Sequence, residues 1–305
     1  MSKLDIRTLV RAAKDARQRA ANGARLILCG RGDSLADLTV AVTRGAPLEA
    51  GQLPSIEPDG RALASLPLRA GDVLVVAAQG LPWEALAAAV AAARGARARL
   101  VVALPPAWSG DAGAAKSARS AGAMGDESVA FDGGLPLEQS PLAAGIARAA
   151  GDGGMVLARD LPALRSAVVA RIIRRAAAQN GAVGVVVWVP GADMPIMTVN
   201  QVRMVLDIAA AYGQEIGADR AVEVLSVVGA GFGLRAAARQ VLRFVPVLGW
   251  AVKGAMGYTG TAALGRAAVQ YFEAGSPATP ERVKGISDQV VRLTRGLVRR
   301  GRATA

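Results

Sequence analysis

The sequence predicts an α/β domain followed by an all-α domain rich in Gly and Ala. Three observations carry this. In the first half, short runs that are apolar throughout alternate with helical stretches, the pattern of a small parallel sheet covered on both faces. In the second half the strand signals fade and helix signals take over. Across the chain, apolar residues make up 52% but aromatics only 4%. The core must therefore be built from Ala, Val and Leu, which suits closely packed helices.

Taken in order, residues 6–20 read as a basic amphipathic helix, with Leu9, Val10 and Ala13 on its apolar side and Asn22-Gly23 as its stop. Residues 25–29 form a short buried strand. A turn at Gly30-Arg31-Gly32-Asp33 leads into a helix over 35–42. Residues 47–68, with four prolines and two glycines, read as loop. Residues 72–78 are a second strand. Pro82 opens an Ala-rich helix that Gly95 closes. Residues 100–104 and 129–131 are the third and fourth strands, before a helix over 142–150.

Gly151-Asp152-Gly153-Gly154 reads as the domain boundary. Pro162 starts a helix that Asn180-Gly181 stops, and 183–189 fits either a strand or an apolar connection. Thr198 and Gln201 have capping-box spacing, so Thr198 is expected to cap a helix reaching Tyr212, with Gly213 as its left-handed stop. Asp193, the one acid in an apolar connection, suits a cap or turn. Further helices are expected over 219–234 and 250–272. The last, from Thr279-Pro280-Glu281, carries Val283, Ile286, Val290, Leu293 and Leu297 beside a run of Arg and Lys. The expected organisation is an α/β domain over 1–150, a helical domain over 155–275 and a basic amphipathic helix over 276–305.

The net charge of +12 is unevenly spread. Lys and Arg against Asp and Glu give 17 − 14 = +3 for residues 1–150, 6 − 6 = 0 for 151–219 and 13 − 4 = +9 for 220–305. The excess thus lies on the stretch that is also apolar, which points to an anionic membrane surface before nucleic acid. A solvated Arg-rich face is the plainer reading. Few aromatics are available to stack on bases, so nucleic acid is the weaker partner. Residues 1–25 are basic and broken by Asp5 and Asp15, with no apolar core of a signal peptide. No window of about 18 uninterrupted apolar residues exists.

The sequence contains no His, which removes Ser-His-Asp and Cys-His catalysis and most zinc sites. The one cysteine, Cys29, cannot form an internal disulfide and ends an apolar run, so it reads as a small buried hydrophobe. No catalytic residue, metal or cofactor is expected.

The first strand-turn-helix stands where a phosphate-binding loop would stand. That loop needs G-x-x-x-x-G-K-[ST], in which glycines let backbone N–H groups wrap phosphate, Lys reaches the terminal phosphates and the hydroxyl holds magnesium. Here Gly30, Arg31 and Gly32 precede Asp33, with no Lys. Arg31 is a poor replacement for that Lys, and Asp33 would repel phosphate. A near-miss at 110–117 ends in Ala115-Lys116-Ser117, where Ala stands for the second glycine and Pro105-Pro106 separates it from its strand. Gly30, Arg31, Gly32, Lys116 and Ser117 are thus weak candidates for nucleotide binding. The order of elements looks like a small GTPase fold with its nucleotide motifs eroded, an analogy of fold alone.

Residues 165–273 carry an ordered set: Pro190, Asp193, Pro195, Thr198, Gln201, Met204, Tyr212-Gly213, the glycines 229, 231 and 233, Pro246 with Gly249, and Gly265 before Tyr271-Phe272. In this set the chain resembles the bacterial family named domain of unknown function 697. That family includes inner-membrane proteins and the C-terminal part of some Era-like GTPases. The resemblance implies a helical domain linked to membranes and to GTPase-like partners, and no reaction. Independently, Gly229 and Gly233 are four apart on one helical face and would permit close helix approach, while Pro246 and Gly249 mark a turn or kink.

The sequence therefore leads to a non-catalytic scaffold or regulator on the cytoplasmic face of the membrane, peripheral or integral, partnered with a GTPase. The alternatives are a divergent nucleotide-binding protein and a soluble helical oligomer.

Overall fold

The structure is a computed structural model of the full chain and describes residues 6–44, 46, 53–56, 68–104, 127–133, 135–186, 193–214 and 250–274. It is an α/β fold followed by a helical region. The chain divides into two compact units. One comprises Gln18–Arg171 with Ala210–Gly213; the other comprises Met1–Arg17, Ile172–Ala209 and Gln214–Ala305.

The first unit is built on a five-stranded, wholly parallel sheet of order β2-β1-β3-β4-β5. Its strands are β1 (Leu26–Cys29), β2 (Ser55–Ile56), β3 (Val73–Ala77), β4 (Arg99–Leu104) and β5 (Glu127–Ala130). β1 and β3 are buried at every position, as expected of strands covered on both faces. On one face Ile27, Cys29, Leu74, Val76, Leu100 and Val102 pack on Leu86, Ala89, Val90 and Ala93 of helix α3 (Trp83–Ala96). Helices α2 (Gly32–Thr43) and α4 (Pro141–Ala150) add the buried Leu38, Val42, Leu142 and Ile146. Each such aliphatic side chain contributes about 1.5–3 kcal/mol by burial.

Asp72, just before β3, is buried, and its carboxylate accepts from Arg25 Nε at 3.1 Å, from Arg25 Nη2 and from the Arg69 N–H at 2.8 Å. This pairing ties the entry of β1 to the entry of β3. The bonded Asp72 raises the Arg25 pKa further above its ordinary value. Ser140 caps α4, its Oγ accepting from the Leu142 N–H at 3.2 Å, with Pro141 in the first turn.

Several local expectations give way here. β2 forms inside the stretch expected as loop: Leu28 N–H donates to Pro54 O at 2.9 Å and Gly30 N–H to Ile56 O at 3.2 Å. Gly95 does not close α3. The left-handed residue is Arg97, at φ 56°, and the Ala98 N–H returns to Ala93 O at 2.8 Å. Gly151–Gly153 form a 3-10 turn that runs into helix α5 (Gly154–Asp160).

The second unit holds most of α1 (Ile6–Ala21), the later part of α6 (Pro162–Val186), most of α7 (Asp193–Ala211) and α8 (Trp250–Glu273). Ala12, Ala13 and Ala16 of α1 pack on Val202 and Leu206 of α7, whereas Val10 is half exposed and is not on the buried face. α6 runs through Asn180-Gly181 to Val186, past the expected stop. α7 begins at Asp193, so Thr198 lies inside the helix and does not cap it. Pro195, in the first turn, needs no N–H partner and permits this earlier start.

Candidate functional site

Two places collect the residues that the sequence singled out. The first is the C-terminal edge of the sheet. In the order β2-β1-β3-β4-β5 the connections diverge between β1 and β3, and at such a switch point open α/β sheets bind ligands. Gly30, Arg31 and Gly32 lie there, between β1 and the first turn of α2. The connection is only Gly30 and Arg31, because α2 already begins at Gly32. Gly30 sits close against the sheet: an added Cβ would lie 3.1 Å from Ala77 Cβ and 3.2 Å from Leu35 Cβ. Gly32 takes φ 51° and faces open space. Ser34 Oγ donates to Gln79 O at 3.3 Å, which ties the two strand ends together.

This turn is too short for a loop that wraps phosphate oxygens. Asp33 in the first turn of α2 offsets the positive end of the helix dipole. Its chemistry is that of a tight strand-to-helix turn. Lys116 and Ser117 lie outside the described residues.

The buried Cys29 ends β1 directly beneath this turn, and burial pushes its thiol pKa up to about 11. A thiol so displaced stays protonated near neutral pH and does not act as a nucleophile.

The second place is the junction of α6, α7 and α8 in the helical unit. Asn180 and Thr261 are both 0% exposed. Asn180 Nδ2 donates to Thr261 Oγ1 at 2.8 Å and to the Met197 carbonyl at 3.1 Å. Asn180 Oδ1 accepts from Asn200 Nδ2 at 2.9 Å, and Gln201 Nε2 donates to Thr261 Oγ1 at 3.2 Å. Both protons and the carbonyl oxygen of the buried Asn180 amide are thus used, which makes a buried polar side chain tolerable. Of the ordered set, Gln201 belongs to this network.

Around the network the helix backbones nearly touch. A Cβ on Gly257 would lie 2.6 Å from Asn180 O, and one on Gly254 would lie 2.6 Å from Val185 Cγ2 and 3.1 Å from Gly181 O. One on Gly265 would lie 2.6 Å from Ile173 Cγ1. Close approach therefore rests on Gly181, Gly254, Gly257 and Gly265 among the described residues. The expected packing residues Gly229, Gly233, Pro246 and Gly249 lie outside them, as does Pro190. Asp193 and Pro195 stand in the first turn of α7.

Tyr212 and Gly213 belong to the sheet unit. Gly213, at φ 72°, ends α7: its N–H donates to Ala210 O at 3.0 Å and that of Gln214 to Ala209 O at 2.9 Å, a Schellman closure. Arg165 lies 5.1 Å from the Tyr212 ring centroid, and its Nε donates to Ala158 O at 3.1 Å. Arg165 thus joins a cation–π contact to the capping of α5. Nothing in its local sequence singles it out, because both partners are distant in the chain or on the backbone.

The first place is thus a switch-point turn without a phosphate cradle, and the second is a glycine-packed helix junction. These define an α/β protein with an appended helical domain. The family model described as domain of unknown function (DUF697) matches residues 150–299, which supports the resemblance of this part of the chain to that family. No curated protein and no solved structure matches the chain.

Proposed function

We propose that the protein is a non-catalytic scaffold or regulator that works at the cytoplasmic face of an anionic membrane, with a GTPase as its partner. The observation that carries the membrane part is the charge of the chain. Residues 220–305 hold 13 basic against 4 acidic residues and also the apolar runs 224–234 and 244–252. Each basic residue near an anionic surface is worth about 1 kcal/mol, so half of them give firm, salt-sensitive binding. The GTPase partner rests on the family resemblance alone.

The test is co-sedimentation of the full chain with vesicles of phosphatidylcholine and phosphatidylglycerol. Binding at low salt that is absent on pure phosphatidylcholine is the expected result. Release by salt means surface docking, and release by detergent alone means insertion. No binding to the anionic vesicles overturns the membrane reading and leaves the soluble oligomer.

One observation favours a second reading, nucleotide binding: the strand order puts Gly30, Arg31 and Gly32 at a switch point. The short turn and Asp33 weigh against it. Equilibrium dialysis with labelled GTP and ATP decides, with no retention expected.

A further inference from the structure

The three helices of the junction lose their charges at one end. No Asp, Glu, Lys or Arg occurs in residues 176–186 of α6, 194–202 of α7 or 254–265 of α8. These stretches lie side by side. Gly181 and Val185 of α6 meet Tyr258 and Gly254 of α8, and Asn180 meets Gly257 and Thr261, so α6 and α8 run antiparallel. Met197 meets Gly257 and Gln201 meets Thr261, so α7 runs parallel to α8. The uncharged C-terminal end of α6 and the uncharged starts of α7 and α8 therefore coincide.

The surface of this end is apolar. Val186 is 72% exposed, Met256 52%, Ile196 48% and Tyr258 42%. Its polar groups are turned inward or self-satisfied. Asn180 and Thr261 are fully buried, and the exposed Thr259 returns its hydroxyl to Ala255 O at 2.8 Å. Gln179, one turn from Arg175, and Tyr258, with its ring-end hydroxyl, are the other exposed side chains with a polar group among the described residues of the three stretches. Small residues at the contacts, amides inside and aliphatic groups outside are what helices in hydrocarbon require, where water satisfies nothing.

The ends of the band carry charge. Ile173 meets Gly265, so Arg174 and Arg175 stand level with Arg266, and all three are exposed. At the tip the register between α7 and α8 brings positions 193 and 253, the starts of the two uncharged stretches, level with each other. At about 1.5 Å per residue the uncharged stretches are roughly 13–18 Å long. That is half of the roughly 30 Å hydrocarbon core, the depth of one leaflet. No described helix is long and apolar enough to cross a membrane, and this arrangement needs none.

We infer that this end of the helical unit is the part immersed in lipid: it enters one leaflet, with Arg174, Arg175 and Arg266 at the head groups. The inference rests on the membrane reading above and names its contact surface.

The experiment uses the full chain with Cys29→Ala and one added cysteine, Val186→Cys, Met256→Cys or Arg174→Cys, each carrying an environment-sensitive fluorophore. The probe is a vesicle of phosphatidylcholine and phosphatidylglycerol with nitroxides on the acyl chains. Labels at 186 and 256 should be quenched severalfold more than the label at 174, and only with vesicles present. A Val186→Glu, Met256→Glu double variant should weaken binding about tenfold or more, since a charge in hydrocarbon is costly. Co-sedimentation without quenching at 186 and 256 overturns the inference and leaves the membrane reading standing. Labels at 186 and 256 already shielded from water without vesicles also overturn it, because then protein covers the surface. Absence of co-sedimentation removes the membrane reading and this inference with it.

Discussion

The sheet unit and the helical unit reach stability by different means. In the sheet unit, Leu, Ile and Val side chains fill the space between strands and helices, and the strand backbones satisfy one another. In the helical unit glycines let α6 and α8 approach, and backbone lies against backbone at Gly254 and Gly257. A core of large side chains absorbs a change of shape by repacking, at modest cost. A backbone contact has no side chain to move. The comparison teaches that one added methyl group should matter more at the α6–α8 contact than in the aliphatic core between the strands and α3.

The largest effect follows directly. Gly257→Ala puts a Cβ at 2.6 Å from the Asn180 carbonyl oxygen, and the helices must separate. The expected loss is about 3 kcal/mol, the upper part of the range for overpacking. Gly260→Ala, on the same helix with nothing within 4 Å, is the control. It should be neutral or stabilise by up to about 1 kcal/mol through helix propensity. Denaturant unfolding of both variants checks the pair, and equal midpoints would break the comparison.

Next comes the amide network. Asn180→Ala leaves the amide of Asn200 and the hydroxyl of Thr261 short of a partner, one of them fully buried. A loss of about 2 kcal/mol is expected, the cost of leaving such groups unpaired. The matching change in the sheet unit is Asp72→Ala. It removes three bonds at once, but the Arg25 side chain is 40% exposed and regains water. The expected loss there is smaller, about 1–2 kcal/mol. Unfolding midpoints of the two variants rank them, and the reverse order would mean that the buried carboxylate outweighs the network.

The same difference governs what the sequence made legible. β1, β3 and β4 were readable because a strand covered on both faces is apolar without interruption. β2 was not, because Ser55–Ile56 is a two-residue edge strand in a Pro-rich stretch, and only pairing with β1 defines it. In the helical unit local signals misled. Asn180-Gly181 has the composition of a helix stop, yet Asn180 spends its amide on Met197, Asn200 and Thr261, and Gly181 admits α8. Thr198 has the spacing of a cap, but Pro195 lets the helix begin earlier. The order of glycines shows that helices can approach closely, and not which helices meet. Gly254, Gly257 and Gly265 acquire meaning only beside Asn180, Gly181 and Ile173. The missing Lys and the presence of Asp33 at the turn after Gly30 are matters of composition that folding does not alter.

The smallest effect concerns Cys29, where the sheet unit buries a titratable group without giving it a hydrogen-bond network. Burial moves its pKa from the ordinary 9.0 to about 11 by disfavouring the thiolate. Folding therefore favours the protonated form, and this contribution is fully present below the unfolded pKa of 9.0. It is lost as pH rises from there through the folded value. At about pH 10, one unit above the unfolded value, the loss is about 1 kcal/mol. Cys29→Ala removes the titration, so its stability relative to the parent chain should improve by that amount between pH 8 and about pH 10. The same burial slows alkylation of the native chain at pH 8, while the chain in denaturant reacts at the ordinary thiol rate. Denaturant unfolding of the two chains at both pH values reads the first effect, and iodoacetamide labelling with and without denaturant reads the second. A native thiol that alkylates as fast as the denatured one would show that the sheet opens at the end of β1. In that case the close packing of Gly30 against Ala77 and Leu35 would not hold in solution, and the contrast between a firmly filled sheet and a glycine-packed helix junction would fall.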